Sequence, residues 1–262
     1  MSKTKRNLTT SLNLNDNPQD KRIDTSPYVA QRDKPKFTVN LRNNIPFTDK
    51  QKAFIELAKH KDTKVIFFSG PAGTSKTLLS VYVGLLLLNE KKASEIIYVR
   101  SIIESASKSM GSLPGEYNEK FSPFAQPLLD KLDELLCKGD IDKLFADQRV
   151  KPMPVNYLRG SSFAGNVVIL DEGQNLDFKE NLTVLSRIGQ YAKFIICGDP
   201  LQSDIGSKNG FTPFFEMFDT PESQEKGIYC VKFGKEDIMR SEILKYIVDV
   251  VEKYKEGVKS KI

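Results

Sequence analysis

The chain has 262 residues, enough for one large domain or two small ones. Its composition, 39% hydrophobic and 28% charged, is that of a globular protein and excludes collagen-like and wholly disordered chains. The longest apolar stretch, residues 78–88, is too short to span a bilayer, and the N-terminus lacks an apolar signal segment. We therefore expect a cytoplasmic protein with no membrane partner. We also expect its three cysteines to be reduced, buried thiols.

The net charge of +5 lies in the N-terminal part of the chain, because residues 1–46 hold nine Lys and Arg against four Asp. Residues 1–36 have few large apolar side chains and are predicted to be a disordered basic arm. Such an arm could follow a phosphate backbone or could be a solubilising tail with no partner. Residues 37–262 are predicted to form a single domain.

Apolar periodicity in this domain predicts alternating strands and helices. In chain order the elements are a helix over 48–59, a strand over 64–68, a helix over 76–89, a strand over 95–99, helices over 120–137 and 141–145, a strand over 167–170, a helix over 179–188, a strand over 193–197, a helix over 211–218, a strand over 227–233 and a helix over 235–255. Continuously apolar strands separated by helices are typical of a mostly parallel sheet with helices on both faces. The predicted fold class is α/β.

A loop of small residues joins the first predicted strand to the helix over 76–89. Backbone N–H groups and the positive end of the helix dipole would converge there on a polyphosphate. Lys76 would reach the β- and γ-phosphates, and the Thr77 hydroxyl would ligate Mg²⁺. The pattern G-x-x-x-x-G-K-[ST] has glycine where this chain has Ser75, and we expect serine to be tolerated if its φ is negative. The predicted ATP-binding loop is Gly70, Pro71, Ala72, Gly73, Thr74, Ser75, Lys76 and Thr77.

Two acidic residues end the strand over 167–170. Asp171 is predicted to complete the magnesium shell with Thr77, and Glu172 to act as base for the attacking water. A solvated turn after a strand is the alternative.

Three glutamines are further candidates for contact with the nucleotide. Gln174 follows Glu172, and Gln202 follows the strand over 193–197, where it could sense the γ-phosphate or stabilise a turn. Gln51 precedes the first strand and could reach adenine or be an exposed helix side chain.

Several blocks of this sequence resemble those of PhoH-like ATPases, a group akin to superfamily 1 helicases. They are GPAGTSKT, YVRSIIESASKSMGSLPGE, YLRGSSFAGNVVILDEGQN, SRIGQYAKFIICGDPLQSDI and KFGKEDIMRSEI, and the resemblance covers about residues 47–255. Its most specific parts are GSLPG at 111–115 and YLRG at 157–160. The resemblance implies a RecA-like P-loop core, magnesium-dependent ATP hydrolysis, an RNA-linked activity, and assembly into a ring such as a hexamer.

The resemblance also places arginines. It suggests that Arg240 is an arginine finger acting on ATP held by another copy, since one RecA-like core supplies half of such a site. A surface ion pair is the alternative for Arg240. Arg100, Ser101 and Arg159 are candidates for a nucleic-acid track that binds RNA or single strands through phosphates, with salt bridges in core loops as the alternative.

Two other functions stay open. A small-molecule kinase would need a lid and an acceptor pocket. A nucleotide-switched clamp or adaptor with slow ATPase would bind partners without motor activity. Stimulation of hydrolysis by RNA would favour the motor over the clamp.

Overall fold

The computed structural model describes residues 37–42, 45–100, 117–158, 162–239 and 241–259. The predicted basic arm over 1–36 lies outside these ranges. None of the helices within them is long and apolar enough to cross a membrane.

Six parallel strands form the central sheet of the described residues, and their order is β3-β2-β4-β5-β1-β6. The strands are β1 (Val65–Ser69), β2 (Ile96–Arg100), β3 (Val150–Pro154), β4 (Val167–Asp171), β5 (Lys193–Gly198) and β6 (Ile228–Lys232). Every residue of β1 and β4 is buried, as expected for strands covered on both faces. The predicted α/β class with a parallel sheet is confirmed.

Helices cover both faces of this sheet. They are α1 (Asp49–Lys59), α2 (Lys76–Asn89), α3 (Tyr117–Leu135), α4 (Lys138–Ala146), α5 (Phe178–Leu185), α6 (Phe211–Phe218), α7 (Pro221–Glu225) and α8 (Glu242–Lys259). Successive side chains of a strand point to opposite faces. Accordingly Phe68 stacks on Phe54 of α1, whereas Phe67 packs against Phe211 and Phe214 of α6. The sheet therefore separates two apolar cores.

The sequence patterns missed strand β3. Its sequence VKPMP contains two prolines, which cannot donate to a ladder and so weaken any strand prediction. The strand lies at the edge of the sheet and pairs only with β2 in the described residues. An edge strand needs hydrogen bonds on one side only, so prolines are tolerated there.

The prediction of a single helix over 235–255 is also wrong, because the helix begins later than predicted. Residues Lys235–Asp237 form a separate 3₁₀ turn, and α8 begins at Glu242. Asp237 closes the turn because its Oδ2 accepts a 2.8 Å hydrogen bond from the Gly234 N–H and contacts Lys50 Nζ at 2.6 Å. This side-chain bond competes with helix continuation.

The cysteines differ in burial. All three are free thiols, but only Cys197 is buried, whereas Cys230 is half-buried and Cys137 is exposed, which corrects the expectation for these two. Burial raises the pKa of Cys197 to about 12.

Candidate functional site

A cavity of about 470 Å³ opens at the carboxyl edge of the sheet. Its volume is in the range of small-molecule sites. The phosphate loop and the residues that follow β4 and β5 form most of its wall, and α3 contributes Lys131 and Glu134, which the sequence patterns did not single out. The predicted site residues on its wall are Ala72, Gly73, Ser75, Lys76, Thr77, Asp171, Glu172, Gln174 and Gln202.

Thr77 and Asp171 meet in this cavity. The Thr77 hydroxyl donates a 3.0 Å hydrogen bond to Asp171 Oδ1, although the residues are 94 positions apart. Asp171 ends β4 and Thr77 lies in the first turn of α2. A hydroxyl and a carboxylate are the hard oxygen ligands that Mg²⁺ prefers, so this pair fits the predicted metal site.

Tyr98 holds the other oxygen of the same carboxylate. Its hydroxyl, on β2, donates a 2.6 Å hydrogen bond to Asp171 Oδ2. Burial and the Asp171 charge raise the pKa of Tyr98, so the phenol stays a donor. No sequence motif places Tyr98 at this site, because the register of β2 against β4, which pairs Tyr98 with Ile169, cannot be read from either segment alone.

The phosphate loop turns sharply before α2. Lys76 Nζ donates hydrogen bonds to the carbonyl oxygens of Gly70 at 2.5 Å and Pro71 at 3.0 Å, and the Thr74 hydroxyl donates to the Pro71 carbonyl at 2.8 Å. Ser75 has φ +64°, so the condition under which serine was expected to be tolerated, a negative φ, is not met. The loop requires a left-handed residue immediately before the helix, which explains why the pattern has glycine there.

Glu172 is held by two side chains. It follows β4 with φ +57°. Its Oε2 accepts a 2.5 Å hydrogen bond from Gln174 Nε2, and its Oε1 lies 3.6 Å from Arg100 Nη2. Gln174 is fully buried, and its Oε1 accepts a 3.0 Å hydrogen bond from the Asp199 N–H. Both polar atoms of the Gln174 side-chain amide are thus hydrogen-bonded within the protein.

The structure separates the remaining candidates. Gln202 lies in the 3₁₀ turn after β5 and lines the cavity. Gln51 is not among the residues on the cavity wall. Gln51 is buried in α1, where its Oε1 accepts a 3.0 Å hydrogen bond from the Thr48 N–H as part of a capping box.

Ser101, Arg159 and Arg240 lie outside the described residues. Met239 lines the cavity and donates its N–H to the Gly73 carbonyl at 3.0 Å.

Comparison with known proteins identifies a family and several relatives. The family model described as PhoH-like protein matches residues 45–252. The PhoH-like protein of Bacillus subtilis (strain 168) is 32% identical over 205 residues, covering 78% of this chain and 62% of that protein. Protein PhoH of Escherichia coli (strain K12) is 33% identical over 205 residues, with 76% and 56% covered. The chain therefore spans about three-fifths of the length of these relatives.

A similar solved structure is the large terminase from a thermophilic bacteriophage. It aligns with a TM-score of 0.46 and 13% identity, covering 76% of this chain and 48% of that one.

Proposed function

Because the chain belongs to the PhoH-like family, we propose that its cavity is the active site of a magnesium-dependent ATPase. The observation that carries this proposal is the 3.0 Å hydrogen bond between Thr77 and Asp171. It joins the phosphate loop to the acidic end of β4, beside Glu172, inside one cavity. A phosphate-binding loop and an acidic strand end brought together in this way are the parts that P-loop hydrolases use.

Each side chain of the cavity has a role in this proposal. Lys76 and the loop from Gly70 to Thr77 bind the polyphosphate, and Lys76 exchanges its loop carbonyl partners for phosphate oxygens. Thr77 and Asp171 would hold Mg²⁺, which when bound neutralises charge on the β- and γ-phosphates. Tyr98 fixes the orientation of the Asp171 carboxylate.

Glu172 is the proposed general base. The oxygen of an attacking water bonds to the γ-phosphorus while the bond to the β,γ-bridging oxygen breaks, and Glu172 accepts the proton of that water. Gln174 orients Glu172 through its 2.5 Å hydrogen bond. Gln202 lines the same cavity and is proposed to sense the γ-phosphate.

We extend the proposal to a ring of copies. The exposed face of α8 carries an apolar stripe at helical spacing, consisting of Ile243, Tyr246, Ile247, Val250, Val251 and Tyr254. A second exposed set lies on other elements, and its members are Tyr157, Phe178, Leu182 and Met217. Contact between the stripe of one copy and the second set of the next would cover both. Such a head-to-tail contact closes into a ring if the rotation permits.

Arg240 is the proposed arginine finger. Met239, the residue before it in the sequence, lines the cavity and contacts Gly73 of its own chain, which supports action of the finger within one chain. Arg240 precedes α8 and its stripe, which supports action across a subunit boundary as well. Mixing inactive Lys76→Ala and Arg240→Ala proteins separates these cases, because only a finger that acts in trans restores hydrolysis.

RNA or single-stranded nucleic acid is the proposed partner, and the cytoplasm the proposed location. The proposed nucleic-acid track consists of Arg100, Ser101 and Arg159. Of these, Arg100 lies within the described residues, at the carboxyl end of β2.

Phosphate release from ATP by the full chain tests the site. We expect Lys76→Ala to lower turnover by about 100-fold or more, since it removes a charge that stabilises the transition state. Glu172→Gln should retain ATP binding while turnover falls by about 100-fold or more. The control is Lys151→Ala, because Lys151 pairs with Glu95 away from the cavity. Unchanged turnover in a folded Lys76→Ala protein would refute the assignment. Hydrolysis that RNA does not stimulate would favour the clamp.

A further inference from the structure

The carboxylate of Glu172 has a partner on each oxygen. Gln174 Nε2 donates a 2.5 Å hydrogen bond to Oε2, and the Arg100 guanidinium lies 3.6 Å from Oε1. A base that accepts a proton from water needs an oxygen free to face that water. Each carboxylate oxygen keeps a second lone pair, but a bound partner limits the directions from which water can reach it, so loss of one partner widens the access of water to Glu172.

Of the two partners, Gln174 is fixed in place. Its side chain is completely buried, and its Oε1 is bound to the Asp199 N–H at 3.0 Å. Its own carbonyl accepts a 3.1 Å hydrogen bond from the Ser203 hydroxyl. Breaking the bond from Gln174 to Glu172 would leave a buried amide without its acceptor, which is costly.

Arg100 is the partner that can leave. It is the last residue of β2, and 30% of its side chain is exposed. An ion pair with this exposure contributes little and is readily exchanged for another anion. A guanidinium binds phosphate with two parallel hydrogen bonds, so phosphate competes well with a carboxylate for it.

The position of Arg100 indicates which phosphate reaches it. Glu172 lines the cavity, but Arg100 is not among the residues on the cavity wall. Arg100 lies beside Asp171 in the register of β2 and β4. Because Arg100 does not line the space proposed for ATP, a phosphate that binds it belongs to a second ligand, and a nucleic-acid backbone presents such phosphates in a row.

We propose that Arg100 restrains Glu172 and that a backbone phosphate of a bound nucleic acid releases it by taking Arg100. The proposal rests on the proposed ATPase function and names its regulator. Release frees Oε1 to accept the proton of the attacking water, while Gln174 keeps the carboxylate in position. Arg100 is in this view a positioning residue that makes hydrolysis depend on nucleic acid.

The test is steady-state ATP hydrolysis by the full chain with and without polyuridylate RNA. For Arg100→Ala we expect a basal kcat raised by about five-fold, the rate equivalent of a weak ion pair, and no further increase with RNA. The KM for ATP should not change, because Arg100 is not on the cavity wall. Arg100→Lys keeps the charge and should retain part of the RNA stimulation. Lys151→Ala removes an ion pair elsewhere on the sheet and should behave like the unsubstituted protein.

Three results would overturn the proposal. A lower basal kcat in Arg100→Ala with RNA stimulation intact would mean that Arg100 holds Glu172 in its productive position. Unchanged basal and stimulated rates would mean that the ion pair has no role. An unsubstituted protein that RNA and single-stranded DNA both fail to stimulate would remove nucleic acid as the releasing ligand. Lys76→Ala is measured in parallel, since its full activity would instead refute the proposed function itself.

Discussion

Tyr98 and Asp171 are joined by a 2.6 Å hydrogen bond between a buried phenol and a buried carboxylate on neighbouring strands. Asp171 Oδ1 accepts at the same time from Thr77. The proposed metal ligand is thus oriented from two sides, by the sheet and by the phosphate loop.

Tyr98→Phe should raise the Mg²⁺ concentration that ATP hydrolysis requires. The substitution keeps the ring in the core but removes the donor to Oδ2, and loss of such a supporting contact typically costs about 10- to 100-fold in metal affinity. We expect the Mg²⁺ concentration that gives half-maximal ATP hydrolysis to rise by about 10-fold or more. The matched control is Tyr82→Phe, whose ring packs on Phe47 away from the cavity. Equal Mg²⁺ dependence in both variants would show that the Tyr98 hydroxyl does not support the site.

Ser75→Gly should stabilise the protein. Ser75 has φ +64°, a conformation that costs an L-residue about 1–2 kcal/mol and glycine nothing, although glycine loses more entropy on folding. We expect the free energy of unfolding to rise by up to about 1 kcal/mol, which raises Tm by about 2–4 °C in a domain of this size. Ser75→Val, which adds a β-branched side chain, should lower Tm. A Tm lowered by glycine would mean that the serine side chain compensates for the strain.

Ile247→Asp should disrupt the proposed self-association. Ile247 lies in the middle of the apolar stripe of α8, with half of its surface exposed, so a charge there would be buried only if the stripe is covered by another copy. We expect the mass in solution to fall to that of one chain while the circular dichroism spectrum is retained. Lys253→Ala, on the charged part of the same helix, should leave the mass unchanged. An assembly that persists in Ile247→Asp would place the interface elsewhere.

Lys193 should make stability rise with pH. Burial, with a smaller contribution from Lys92, lowers its pKa to about 8, and its Nζ donates to the carbonyls of His60 and Thr63. The unfolded chain keeps the ordinary lysine pKa of 10.5, so between pH 8 and 10.5 it binds more protons than the folded chain. The free energy of unfolding must then increase with pH in this window.

The measurement compares the unsubstituted protein with Lys193→Met. The free-energy difference between the two, obtained from urea unfolding at several values from pH 7 to pH 9.5, should move in favour of the unsubstituted protein as the pH rises. Lys64→Met supplies the comparison for an ordinary exposed lysine. A difference that does not change with pH would mean that Lys193 keeps its proton in the folded protein.

The sequence by itself determined the features that rest on a few adjacent residues. Alternating apolar runs and helical periodicities predicted the parallel α/β sheet, and small residues before Lys76 with two acids after the strand over 167–170 predicted the site. These signals are local, because burial of a strand and the phosphate-binding turn each depend on residues close together in the chain.

Tertiary structure decided what depends on register and backbone dihedral angles. Strand β3 exists because an edge position tolerates its prolines, and Ser75 is left-handed because of how the loop enters α2. The contacts of Asp171 with Tyr98 and of Glu172 with Arg100 join segments about 70 residues apart. Their partners were set only when β2 and β4 paired side by side, since no pattern within one strand specifies the register of its neighbour.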